Sequence, residues 1–177
     1  MGIQGASTIA CVKLEVRLGG SRDIDGAAQV WARATARRDD NLETPPLQAA
    51  RGVLIDSLQK ERSTFVVATR DVEVLGFATA EPATSQRVAE VRYVGVDPEH
   101  WGAGVGSAVM TRLAAELASA GFRSAQLLVY ADNLPARRLY ERMGWQLGQA
   151  RPSIHPRTGK PEVRYRLRLG NDHRPQS

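Results

Sequence analysis

Residues 94–107, VGVDPEHWGAGVGS, limit what this chain can be more than any other segment. A β-branched run closes at Asp97-Pro98, and glycines follow at 102, 104 and 106. A helical pattern then begins at Val105, with Val109, Leu113 and Leu117 on one face. Proline halts strand pairing, and an acidic residue before it favours a turn. Strand, glycine turn and helix in this order suit an anion. Glycines let backbone N–H groups approach an oxyanion closely, and a helix N-terminus adds about half a positive charge. The dinucleotide pattern G-x-G-x-x-G fails, because its last position holds Ser107 counted from Gly102 and Val109 counted from Gly104. No Gly-Lys-Ser/Thr follows, so the phosphate loop of nucleotide hydrolases fails as well. What remains is an anion cradled by main chain alone, or a tight turn that needs glycine only for its geometry.

Around this segment the pattern alternates between strand and helix. Runs at 14–18, 64–69, 74–80, 88–96, 125–130, 145–149 and 162–169 read as strands. Helical spacing starts near Arg22 behind a Ser21 cap, near Pro46, at Val105 and at Leu134. The expected fold is α/β: a single mixed, mostly antiparallel twisted sheet of six or seven strands flanked by about four helices. It forms one domain over 13–169, with residues 1–12 and 170–177 as flexible tails.

Composition removes several classes of function. In 177 residues no apolar run approaches the ~20 that a membrane span requires. The N-terminus lacks a basic start followed by an apolar block, so no secretory signal is expected. The single cysteine, Cys11, cannot close an internal disulfide, which fits the cytoplasm. With His100, His155 and His173 scattered along the chain, no metal site is expected. The net charge of +5 favours an anionic partner. Yet Arg137-Arg138 and the alternating Arg164, Arg166 and Arg168 form separate groups, and no aromatic-and-basic strand of the RNA-binding type is present. Neither nucleic acid nor membrane is an expected partner.

A second constellation follows the glycine turn. Asn133 precedes a helix on which Ala136 and Tyr140, four apart, share a face. A small residue beside an aromatic hydroxyl leaves room for a thin ligand chain, although Leu139, Tyr140 and Met143 also read as core. Together the two segments resemble the GNAT (Gcn5-related N-acetyltransferase) superfamily. Its acetyl-CoA loop, Arg/Gln-x-x-Gly-x-Gly/Ala, aligns with Trp101-Gly102-Ala103-Gly104-Val105-Gly106. Its Asn-x-x-Ala-x-x-x-Tyr segment aligns with Asn133, Ala136 and Tyr140, followed by Gly144-Trp145. Trp101 departs from the pattern, standing where the family usually has Arg or Gln.

The resemblance implies an acetyl-CoA-dependent N-acetyltransferase that moves an acetyl group to a primary amine by direct attack in a ternary complex. It implies that the amides of Gly102 to Ser107 hold the pyrophosphate, that the pantetheine arm pairs along Val94, Gly95 and Val96, and that Asn133 meets the arm from the other side. Arg137 or Arg138 meets a phosphate, and Tyr140 acts as the acid. Glu90, on the strand before the loop, is the expected base, and regular alternation places it on the same face as Val94 and Val96. Tyr93, His100 and His155 are lesser alternatives. The loop 153–161, with Arg157 and Lys160, is expected to edge the acceptor pocket and favour carboxylates or phosphates. Strands at the C-terminal end offer an edge for a homodimer. A non-catalytic acetyl-CoA-binding regulatory module would keep the loop and Asn133 while needing no base.

Overall fold

The computed structural model describes residues 13–40, 46–85 and 87–170. In chain order these form β1 (Glu15–Leu18), α1 (Ile24–Arg38), α2 (Leu47–Leu58), β2 (Thr64–Arg70), β3 (Glu73–Pro82), β4 (Val88–Val96), α3 (Val105–Ser119), β5 (Ser124–Tyr130), α4 (Leu134–Arg142), β6 (Gln146–Leu147), β7 (Ser153–Ile154) and β8 (Pro161–Arg168). One sheet runs β1-β2-β3-β4-β5-β8-β6, with β7 paired to β8. Every pairing is antiparallel except β4 with β5, the two strands that α3 connects. The expected mixed α/β sheet and its four helices are present, and the two-residue β7 makes eight strands where six or seven were expected. Both expected tails, and Cys11 with the first of them, fall almost wholly outside the described residues.

The sheet has a core on each face. On one side α3 and α4 bring Val109, Met110, Leu113, Leu117 and Tyr140 onto Val66, Ala78, Ala80, Val91 and Leu127. On the other, Ala27, Ala28 and Val30 of α1 and Ala50 and Leu54 of α2 pack on Val67, Val74 and Phe77. β2 and β3 are therefore buried on both faces, which explains why they read as near-continuous apolar runs. Gly76 of β3 lies beneath the first turn of α3, where an added Cβ would come within 2.7 Å of Val105 Cγ1. Glycine there lets the helix start settle against the sheet.

One cap differs from expectation. α1 begins at Ile24 after a 3-10 turn at Ser21–Asp23, and Ser21 makes no capping bond. The Asp23 carboxylate instead accepts from Gly20 N and from Arg17, each at 2.8 Å, and the Arg17 guanidinium holds it below the usual carboxylate range.

Candidate active site

The turn between β4 and α3 is held from below. Asp97 accepts from Glu99 N at 3.0 Å, capping the short turn Pro98–His100, and pairs with Arg33 of α1. The Trp101 indole donates to Val96 O at 2.8 Å while the residue stays 49% exposed. Gly102 and Gly104 then adopt φ of +80° and +82°, a region that favours glycine. Ala108 is the first residue of α3 to make a helical bond, to Gly104 O at 3.0 Å. The amides of Gly102, Gly104, Val105, Gly106 and Ser107 donate to no group among the described residues. Ala103 differs from its neighbours, because its amide goes to His100 O at 3.3 Å. It therefore leaves the expected set of free donors.

Beside this turn the sheet opens. β4 pairs with β5 only from Val88 to Val91, and Arg92–Val96 have no β5 partner. The register between β3 and β4 also shifts here: Ala80 opposes Val91 and Thr79 opposes Tyr93, which leaves Arg92 as an extra residue. Paired residues share a face, so the shift reverses the alternation. Val94 and Val96 face the α3 core with Ala89 and Val91, while Tyr93 joins the α1–α2 core and Glu90 lies on that same side. Glu90 thus projects opposite to Val94 and Val96, correcting the expectation from plain alternation. Its carboxylate accepts from Gln126 Nε2 at 2.5 Å and lies 3.6 Å from Arg164.

On the α3–α4 side Tyr140 is 6% exposed, packed 6.0 Å from the Trp145 ring and 6.1 Å from that of Tyr165. Burial pushes its phenol up to about 12. Tyr165, fully buried, donates to Glu141 at 2.5 Å and accepts from Arg137 Nε at 3.1 Å. Arg137 also donates to Ala131 O at 2.9 Å. Of the two expected phosphate ligands, Arg137 is thus engaged within the fold. Arg138 is exposed, with no partner among the described residues. Asn133 Oδ1 accepts from Ala136 N at 3.3 Å and caps α4, a structural duty beside the expected ligand contact.

The loop before β8 closes on Tyr130. Lys160 lies 3.6 Å from Asp132 and 3.9 Å from Asp39, and 5.4 Å over the Tyr130 ring. Arg38 and His155 pack on the same ring. Lys160 is therefore charge-paired, and the loop is tied to the end of α1. Sequence reasoning missed Gln126 and Arg164 beside Glu90. The alternation of Arg164, Arg166 and Arg168 was visible, but the strand they face was not.

The sequence pattern of the acetyltransferase (GNAT) family matches residues 29–145. The chain belongs to the GNAT acetyltransferase family. Mycothiol acetyltransferase from Streptomyces griseus is 41% identical to this GNAT chain over 81 residues, covering 46% of it and 26% of that protein. The Streptomyces coelicolor protein of that name is 37% identical over the same shares. This chain thus spans about a quarter of these curated relatives. Two solved structures share the fold. The ribosomal-protein-S18-alanine N-acetyltransferase from Escherichia coli has a TM-score of 0.72 and 21% identity, covering 92% of this chain and 99% of its own. The Salmonella typhimurium protein yncA, solved with its cofactor acetyl-CoA, has a TM-score of 0.73 and 17% identity over 93% and 99%.

GNAT enzymes take acetyl-CoA as donor, and its diphosphate fits the turn of this member. Among the described residues these five amides have no partner and no competing side-chain cap, and nothing lies within 4 Å of where a Cβ would stand at Gly102 or Gly104. Among the described residues no group of His, Cys, Asp and Glu is arranged to hold a metal, and no helix is long and apolar enough to cross a membrane.

Proposed function

We propose that this chain is an acetyl-CoA-dependent N-acetyltransferase acting on a primary amine by direct attack in a ternary complex. The observation that carries the reading is the row of unpartnered amides at the N-terminus of α3, beside the point where β4 and β5 separate. Gly102, Gly104, Val105, Gly106 and Ser107 hold the diphosphate, with Arg138 free to meet a phosphate at the rim. The stretch of β4 from Val94 through Gly95 to Val96, paired with β3 but not with β5, offers main-chain groups to an extended pantetheine arm, as an added strand would use them. Asn133 and Ala136 border the arm from α4. Acetyl-CoA supplies the activated acetyl group.

Glu90 takes the proton from the acceptor ammonium, whose pKa near ~10.4 for a lysine-like amine keeps it charged at neutral pH. An N–H of Val94 or Val96 stabilises the developing oxyanion. Tyr140, its phenol raised to about 12 by burial, keeps its proton and donates a hydrogen bond to the departing thiolate, which takes the second proton shed by the newly acetylated nitrogen as the C–S bond breaks. Full transfer to a thiolate of ordinary pKa, about 8.5, is uphill from such a phenol, so the hydrogen bond is its main service.

In the same reading the protein works in the cytoplasm. Leu147 of β6 and Ile154 of β7, 50% and 64% exposed, mark the edge where two copies pair, which light scattering checks. The deciding experiment is calorimetry with acetyl-CoA, followed by thiol release across a panel of amines. Binding together with amine-dependent release supports an enzyme. Binding without release with any amine turns the reading to a regulatory module, and absence of binding ends it.

A further inference from the structure

We infer that the acceptor is an amine that also carries a carboxylate, and that Arg164 and Arg166 of β8 select it. The inference rests on the acetyltransferase reading and extends it to the substrate class. It starts from the side of the sheet that the helices leave open. On the sheet, α1 packs mainly on β3 and β4, and α2 on β3. Among the described residues the same face of β5 and β8 is therefore largely uncovered, except at Tyr130, whose ring meets Arg38, Lys160 and His155. Leu128 is 37% exposed there, and Arg166 is exposed.

The register shows what this open face carries. Glu90 opposes Gln126 across the parallel pair, and Gln126 opposes Arg166 across the next. These three make one row across β4, β5 and β8. Leu128 and Arg164 form the next row, where β4 and β5 separate. Val163, Tyr165 and Leu167 alternate with the arginines and point into the opposite core. The alternation of Arg164, Arg166 and Arg168 thus sets all three on the open face. Glu162 stands further along, opposite Tyr130.

Charge on this face is uneven. Glu90 is contacted by Gln126 and Arg164, whereas Arg166 and Arg168 have no partner among the described residues. Neighbouring strands are about 4.8 Å apart, so a long arginine side chain at Arg166 reaches across Gln126 towards Glu90. A carboxylate that takes a proton from an ammonium therefore sits next to guanidinium groups that match a carboxylate in bidentate geometry. One molecule satisfies both when its amine and its carboxylate are a few bonds apart, as in an amino acid. A polyamine would bring a second cation onto the arginines and be repelled. Lys160, neutralised by Asp39 and Asp132, does not compete for this role.

The test uses the full chain and pairs of amines, each an amino acid and its carboxamide, with spermidine as a third class. The kcat/KM ratio of amino acid to carboxamide is compared between wild type, Arg166→Gln and Arg166→Lys. Intrinsic differences between the two amines are common to all three proteins and cancel in that comparison. Arg166→Gln lowers the ratio about tenfold, through KM for the amino acid, and Arg166→Lys restores part of it. Arg166 is exposed, so the variants keep the fold. A ratio that Arg166→Gln leaves unmoved overturns the inference, as does spermidine being the best acceptor or no amino acid being turned over. Calorimetry with acetyl-CoA on the same samples separates the two readings. If the coenzyme binds and neutral amines are acetylated, only the choice of acceptor has failed. If it does not bind, the acetyltransferase reading has failed first.

Discussion

On the α3 side of the sheet the proposed site is made of peptide groups: five amides without partners among the described residues, two glycines at positive φ and a stretch of β4 with no β5 partner. On the α1–α2 side it is made of side chains that three strands bring together, Glu90 from β4, Gln126 from β5 and Arg164 from β8. The first region suits a ligand that never changes, because a main chain offers the same donors whatever residue it carries. The second suits a ligand that varies among relatives, since single substitutions re-specify it without disturbing the fold. Variants on the two sides should therefore separate cleanly, the first moving how the coenzyme binds or how its thiolate leaves and the second moving acceptor preference.

The largest effect should come from Tyr140, the side chain on the coenzyme side to which the proposal gives a part in the chemistry. Tyr140→Phe removes a hydroxyl and leaves the packing against Trp145 and Tyr165 in place. It should lower kcat by roughly 10²–10³, the loss expected for one hydrogen bond to developing negative charge, with little change in the dissociation constant for acetyl-CoA. Turnover within a factor of two of wild type would show that the departing thiolate needs no phenol. On the coenzyme side the chemistry would then rest on main chain alone.

Gly104→Ala asks whether the peptide geometry matters as much as its amides. Nothing lies near the new methyl group, so its cost is the left-handed backbone at φ +82° rather than a clash. Holding alanine there costs about 1–2 kcal/mol, or the turn relaxes and its amides lose their convergence. KM for acetyl-CoA should rise about tenfold while acceptor preference stays fixed. A shift in acceptor preference instead would break the division between the two sides.

Burial of Tyr140 also has a consequence for stability. An unfolded phenol loses its proton near pH 10, and the native one near pH 12. Between those values the unfolded chain has shed a proton that the native chain keeps, so raising the pH favours unfolding. From pH 9 to 11 this costs about 1.4 kcal/mol, which Tyr140→Phe should not lose. Urea unfolding at the two pH values compares them. Tyr165, also raised by burial, acts equally in both proteins. Equal losses would mean that the Tyr140 hydroxyl is better solvated than its packing implies, leaving it freer to donate a proton outright.

The same division decided what could be read in the sequence. The turn at 102–107 and the helices that begin at Val105 and Leu134 were legible because each depends on residues within a few positions: glycine for positive φ, proline and asparagine for a first turn. The face on which Glu90 projects was not. It depends on Arg92 being an extra residue against β3, a matter of how Thr79 and Ala80 pair with a strand further along the chain. Its neighbours Gln126 and Arg164 are 36 and 74 positions away, joined only when β5 and β8 find their register. Asn133 and Ala103 were legible as positions but not as bonds, since a side chain or amide with the right address can still be taken up by its own turn.

Trp101 gives the smallest expected effect and the most delicate check on the contrast between the two sides. It occupies the position where GNAT relatives usually carry arginine or glutamine, so it contributes no charge or amide to a diphosphate. What it does offer is structural: the indole N–H ties the turn to Val96 O, and the residue remains exposed to solvent. Trp101→Phe keeps the aromatic surface and removes that tie. Because the bond is exposed, its loss should cost at the low end of the 0.5–1.5 kcal/mol range, raising KM for acetyl-CoA two- to fivefold with kcat unchanged. A rise beyond about twentyfold would mean that a side chain, not the peptide amides, governs how the turn meets its anion. A rise of twofold or less would mean that Asp97 and its pairing with Arg33 already hold the turn in place.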